Sequence, residues 1–468
     1  MKKGARIWGI LLLTFVMLLA AVPALADDYE DLPGQEVRVL LSGSSSANEY
    51  TITVGNGSYD IVSADHPSRI LTTVYAGEKI IFKLDGAGSY SVETDDYYKE
   101  SSSPFMAVPE DADDYFVFRD SSYRGCFKAI YSGSYYYAVN QINVELYLYG
   151  VVGRELGYGY NEDATMAQAV AARSYALANY SSANKYYDLT ATTSSQVYGG
   201  KGAETAKIIK AVDDTCGYVL MYKGNYVQTY YSSNMGGYTE NIENVWVSDA
   251  VPIKGVPSPH DAWAGKYSSY GASTYSWSVE YTPEQLVALA NKYAKTDIGQ
   301  YTGISYSDTL SGVKSVSGRA MTLTISGTKG SVTATKDNIR SLLNLKSTLI
   351  TVTDNTSSRV AGYVMGSDGR AIAFSSLDDV YAIAGGNGIM KANGSEKTVY
   401  AIGGDGMVSI DKKGGSGNTV TIQGKGYGHG VGLSQFGAIG MGDDGYSWDE
   451  IIRHYFCTGN DIRLECTY

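Results

Sequence analysis

The chain has no C-x-x-C pair and little histidine. Its four cysteines stand apart at Cys126, Cys216, Cys457 and Cys466, and there are four His in 468 residues. Neither thioredoxin-type redox chemistry nor a zinc ribbon finds its material here. Basic residues are scarce as well: 37 Lys and Arg face 49 Asp and Glu, a net charge of −12. Nucleic-acid binding rests on Lys and Arg neutralising phosphates, so this charge argues against nucleic acid, and also against an anionic membrane surface. Beyond the first 26 residues no apolar run is long enough to cross a bilayer. The glycine runs around residues 385 and 403 hold no G-x-G-x-x-G and no G-K-[ST], so they match neither a dinucleotide nor a phosphate loop. Tyrosine, by contrast, is abundant: 42 Tyr against 9 Phe. A ring with a polar tip suits half-wet β surfaces and sugar-contacting walls. So many are present that no single Tyr stands out as a sugar platform.

Residues 1–26 read as a secretory signal peptide. Lys2, Lys3 and Arg6 give the positive start, residues 7–22 a short apolar run, and Ala24-Leu25-Ala26 a small-x-small cleavage site. Cleavage near Ala26 leaves 34 basic against 49 acidic residues, a net charge of −15. The mature protein is therefore expected to be secreted or held at the cell envelope by contacts. Export permits disulfides, and four cysteines allow three pairings; Cys457 with Cys466 would close a small loop at the C-terminus.

The expected fold class is α+β, with β-rich lobes packed around a helical core and a β-hairpin insertion. Residues 27–142 form the N-terminal β-rich lobe, because 37–41, 50–54 and 79–84 alternate or run apolar between turn residues. The core spans 143–350. Within it, 203–213 and 283–295 read as helices, and 217–222 with 226–231 as a hairpin about Lys223-Gly224-Asn225. Residues 351–418 are a Gly-rich β insertion. It repeats itself, with Val380-Tyr381-Ala382-Ile383-Ala384-Gly385-Gly386 and Val399-Tyr400-Ala401-Ile402-Gly403-Gly404, and reads as two hairpins. Residues 419–468 return to the core and end on a helix over 447–456.

One carboxylate sits in a setting that favours chemistry. Asn143 caps a short helix whose apolar positions include Leu146, Val151 and Val152, and Glu155 falls at its last turn. Gly157 and Gly159 break the helix, and a second, Ala-rich helix runs over 164–180. A carboxyl between apolar neighbours and a turn can carry a raised pKa, as a general acid needs. On position alone, a solvated helix-end Glu is the commoner explanation.

Tyr147-Leu148-x-Gly150-Val151-Val152-x-x-Glu155 followed by Ala167-Gln168-Ala169-Val170-Ala171-Ala172-Arg173-Ser174-Tyr175 resembles the signature of the SpoIID/LytB family of cell-wall proteins. Leu156 stands where that family usually has Met, a volume-conserving apolar swap. Three more segments resemble the family: Gln196-Val197-Tyr198-x-Gly200, Ser232-Ser233-x-x-Gly236-Gly237-x-Thr239 with Glu243-Asn244-Val245-Trp246, and Gly428-His429-Gly430-Val431-Gly432-x-Ser434-Gln435-x-Gly437-Ala438. Some members place His and Cys zinc ligands in and just before the first of these. Here Thr and Ser occupy those places, so no metal and no cofactor is expected.

The resemblance implies a peptidoglycan lytic transglycosylase with Glu155 as its catalytic acid and base. Arg173, Tyr175, Ser232, Ser233, Gly236, Gly237, Thr239, His429, Ser434 and Gln435 would contact the sugar or orient Glu155. Paired glycines after hydroxyl residues would let backbone N–H groups approach a ligand. Ser434 and His429 could suggest a nucleophile pair, but no acidic orienter is evident beside them in the sequence. The implied substrate is peptidoglycan glycan, stripped of stem peptides in the sporulation type, cut between N-acetylmuramic acid and N-acetylglucosamine to leave 1,6-anhydro ends. A cell-wall amidase is the implied partner. The alternative is a glycan-binding modifier without catalysis that stimulates such an amidase.

Overall fold

The computed structural model describes residues 34–468 apart from 86–87, 158, 181–185 and 247–250; within 357–418 it describes only the backbone of three hairpins. The expected signal peptide, residues 1–26, lies outside the described residues. Among the described residues no helix is long and apolar enough to cross a membrane.

The molecule is α+β, with many strands and fewer helices. Two sheets, of seven and six strands, are built almost wholly from residues 36–143; they are antiparallel except where Leu189–Thr190 joins Glu36–Ser44 in parallel. Alternation drives them together. In Glu49–Asn56 the inward residues are Tyr50, Ile52 and Val54, and in Lys79–Asp85 they are Ile80, Phe82 and Leu84. These meet Tyr59, Phe105, Phe127 and Ala129 of the seven-stranded sheet in one core. Phe127 sits 5.1–5.5 Å from Phe82, Phe116 and Phe118, centroid to centroid. Edge and tilted ring pairs at this spacing are favourable.

The opposite face of the same sheet carries the helices. Val37, Val39 and Ile142 pack on α1 (Val144–Glu155) and α2 (Glu162–Ala178) through Leu148, Val151, Val152, Ala169, Ala172 and Ala176. Asn143 caps α1 by accepting from Glu145 N at 2.8 Å, and Asn161 caps α2 through Asp163 N at 2.8 Å. Glu162 and Asp163 suit the positive end of the α2 dipole. The alanines of α2 let it be buried along nearly its whole length.

Several sequence expectations change. The hairpin about Lys223-Gly224 pairs Met221 and Tyr222 with Tyr226 and Asn225 and adds a bond from Val227 N to the Leu220 carbonyl; the chain then leaves the sheet, and Tyr231–Ser232 runs parallel to Leu433–Ser434 instead. The closing helix is Trp448–Ile452, continued by a wider π turn over Arg453–Cys457. The final strand, Arg463–Cys466, adds antiparallel to Tyr218–Tyr222. Cys457 and Cys466 are free thiols, so they do not close a terminal loop.

A third core is formed by the sheet Ser276–Tyr281, Val420–Lys425 and Ile350–Asp354, the sheet around Thr322–Gly327, and the helices Pro283–Ala294 and Asn338–Leu343. Residues 355–419 leave this sheet between the paired residues Asp354 and Val420, and their described backbone forms three hairpins where the sequence suggested two. Thr398–Gly403 with Gly406–Asp411 and Tyr381–Ala384 with Gly388–Lys391 are the two repeats seen in the sequence; Gly362–Met365 with Ala371–Phe374 is the third.

Candidate active site

The end of α1 opens onto a cavity of about 490 Å³. Among the described residues Glu155 is the carboxylate in its wall, and none of them that lines it is Lys or Arg. Three distant segments supply most of the rest: residues 193–197 after α2, residues 230–233, and residues 427–436. The parallel pairing of Tyr231–Ser232 with Leu433–Ser434 brings the last two together.

Burial pushes the Glu155 carboxyl up, which favours the protonated form; hydrogen bonds from Val197 and Gln435 and the nearby Arg154 charge oppose this. Val197 N–H donates to Glu155 Oε1 at 2.7 Å and fixes one carboxyl oxygen. Gln435 Nε2 also reaches the Glu155 carbonyl at 3.4 Å. Glu155 is thus a partly buried acid with a held geometry, open to the cavity on its remaining side.

Tyr175, Ser232, Ser233, His429 and Gln435 line the same cavity. Both ring nitrogens of His429 are engaged by backbone. Its Nδ1 accepts from Val431 N at 3.0 Å, and its Nε2 faces the Tyr231 carbonyl at 3.1 Å, so Nε2 must carry the hydrogen. Burial, with the nearby Arg340 charge, pushes the imidazole down to about 3. Both nitrogens are engaged, and His429 cannot act as a base on a sugar. It packs on Trp246 and Tyr230, with centroids 4.9 and 5.9 Å away.

Five expected contacts lie behind the wall. Arg173 is fully buried. It forms a two-pronged pair with Glu145 at 2.8 and 2.7 Å and donates to the carbonyls of Tyr218 and Val212. Thr239 is buried against the Val256 backbone. The Gly236 and Gly237 N–H groups are consumed by Asn234 Oδ1 at 2.8 Å and Asp261 Oδ2 at 2.9 Å, so neither points to a ligand. Gly236 is needed for another reason: at φ +79° a Cβ would press on Leu349 and the Lys425 carbonyl carbon. Ser434 is fully buried and donates to Asp261 Oδ1. An acid does stand beside Ser434, then, but it holds a structural hydroxyl, and no bond joins Ser434 to His429. Burial raises the Asp261 carboxyl to about 6 against the pull of these donors.

Sequence reasoning passed over Val197, Trp246, Tyr230 and Tyr231 as wall residues. Their only signal was membership of the quoted segments and of a crowd of tyrosines.

The family model described as Stage II sporulation protein matches residues 132–222, which carry both helices, Glu155 and Val197. Over this segment the chain is similar to the SpoIID family. It is 28% identical over 343 residues to Stage II sporulation protein D of Bacillus amyloliquefaciens, covering 70% of this chain and 76% of that one. It is 28% identical over 313 residues to the Amidase enhancer of Bacillus subtilis, covering 66% of this chain and 39% of the relative. An uncharacterized protein of Brachyspira hyodysenteriae is 31% identical over 208 residues, 44% of this chain and 54% of that one. The chain thus spans about half or less of these last two. A domain of unknown function matches residues 262–370, which contribute Tyr270 to the cavity wall.

Proposed function

We propose that this protein is an exported lytic transglycosylase that cleaves peptidoglycan glycan strands, with Glu155 as its acid and base. The observation that supports the reading is Glu155, the one carboxyl among the described residues of a cavity walled by aromatic rings and hydroxyls, raised by burial and fixed by Val197 N–H. Hydrolysis of the usual kind needs two carboxylates across the bond. One suffices when the attacking group is on the substrate. Glu155 would protonate the leaving glycosidic oxygen and then take the proton of the muramic C6 hydroxyl as that oxygen bonds to C1 of its own ring. Glu155 ends protonated as it began, and no water is consumed. Tethering the nucleophile contributes roughly 7–11 kcal/mol toward the barrier.

The test is digestion of purified glycan strands, with and without stem peptides, by residues 27–468, followed by mass analysis of the products. Anhydro-ended fragments from the wild type and none from Glu155→Gln support the reading. The relative named Amidase enhancer favours a second reading, stimulation of a wall amidase without cleavage. In that case no fragments appear, and Glu155→Gln stimulates an amidase as well as the wild type does.

A further inference from the structure

Glu155 is ringed by three tyrosines close enough to feel its charge: Tyr147, Tyr175 and Tyr231. Their hydroxyl protons can be followed one by one. Gln196 settles two of them. Its Nε2 donates to the Ala172 carbonyl at 3.2 Å, and a carbonyl can only accept, so the amide orientation is fixed. The same Nε2 donates to Tyr231 Oη at 2.9 Å, and Oε1 accepts from Tyr147 Oη at 3.3 Å. Tyr147 has therefore spent its proton. Tyr175 accepts from the Gln228 amide, so its own proton is not spent there. Tyr231 Oη acts as an acceptor and still owns a proton. Among the described residues no acceptor takes it, although the ring lines the cavity beside Glu155.

We propose that the Tyr231 hydroxyl is a substrate-gripping group, a neutral donor that holds a sugar oxygen next to the Glu155 carboxyl. The proposal rests on the saccharide reading of the cavity. Three features support it. The ring is fixed, because its strand pairs with Leu433–Ser434 and its carbonyl accepts from His429 Nε2. One dipeptide positions both groups: Gln196 holds Tyr231 by its side chain, and Val197 holds Glu155 by its backbone. Burial also keeps the Tyr231 hydroxyl protonated well past the normal phenol range. It can bind an oxygen without competing for the proton that Glu155 must give and retrieve.

Tyr231→Phe keeps the ring and deletes the hydroxyl. Gln196→Met deletes the bond between them and leaves the hydroxyl in place. Two assays are run on both variants: cleavage of stem-free glycan strands, and calorimetric binding of a stem-free glycan oligosaccharide in the Glu155→Gln background. We expect Tyr231→Phe to lower kcat about 10- to 100-fold and to weaken binding about 10-fold, as loss of one donor in a water-poor site does. Gln196→Met should do less in both. Equal defects in the two variants would mean that the hydroxyl serves only Gln196, and wild-type behaviour of Tyr231→Phe in both assays would equally overturn the proposal. If the wild type cuts nothing but Tyr231→Phe still weakens oligosaccharide binding, the transglycosylase reading fails and the contact stands.

Discussion

Arg173 offers the sharpest test of how the site was separated from its support. Its guanidinium is fully buried and serves four acceptors: both Glu145 oxygens and the carbonyls of Val212 and Tyr218. Glu145 is only 7% exposed, and Tyr468 Oη also donates to it. Arg173→Met keeps a long apolar stem and removes the charge. Glu145 is then left as a buried carboxylate without its counter-ion. Breaking a buried pair from one side costs about 3–5 kcal/mol. Each orphaned carbonyl adds about 1 kcal/mol. The sum, roughly 5–7 kcal/mol, rivals the whole stability of an ordinary domain. Urea unfolding followed by tryptophan fluorescence and far-ultraviolet circular dichroism reads it as a large fall in midpoint. The double variant Glu145→Leu with Arg173→Met removes both charges and should recover most of the loss, since apolar replacement of a buried pair is often neutral. A wild-type midpoint for Arg173→Met together with lost glycan binding would refute the argument, for then Arg173 would be working on the substrate.

Three further outcomes follow from the same structure. Glu155→Gln should abolish anhydro-product release without loss of stability at pH 7. The folded carboxyl holds its proton more tightly than the unfolded one, so stability falls as pH rises from the ordinary glutamate range through the raised folded value, and a neutral amide escapes that penalty; a variant less stable than the wild type at pH 7 would contradict this. His429 should not titrate between pH 4.5 and 8 by NMR. Its unfolded imidazole takes a proton near 6.5 and its folded one only near 3, so the fold loses stability as pH falls through that window and gains none above it; a ring titrating near 6.5 would break the neutral-tautomer assignment. Gly428→Ala should cost about 1–3 kcal/mol or more, read as a lowered melting temperature, because φ is +129° and the new Cβ would lie 2.2 Å from Ser232 Cβ; an unchanged melting temperature would show that the 232 and 428 segments do not meet as described.

The helices were legible because their signals are local. Asn143 and Asn161 cap where capping residues stand, and the run of alanines in α2 declares close packing. The strands of residues 36–143 were legible through alternation. What escaped was pairing between distant segments. Nothing near Tyr231 in the sequence says that it joins Leu433 rather than extending the hairpin from Tyr226, and that pairing forms the wall facing Glu155. The missed orienter of Ser434 is the same kind of failure: Asp261 lies 173 residues away.

Arg173 and Glu155 show why a motif cannot tell a reacting group from its support. Both belong to one continuous signature, and the sequence puts both forward as site residues. Geometry divides them. Arg173 is bonded to Glu145 in the first turn of α1, whereas Glu155 ends that helix. Ten residues of helix rise separate those two acids by about 15 Å. An arginine clamped at one end cannot touch a sugar held at the other. The signature therefore encodes two things at once: an acid displayed at the C-terminal end of α1, and an ion pair that locks the N-terminal end of α1 to α2 so that the acid stays where residues 197 and 435 can hold it. On this view, loss of the pair should disable the chain through unfolding, and loss of the acid should disable it while the fold persists.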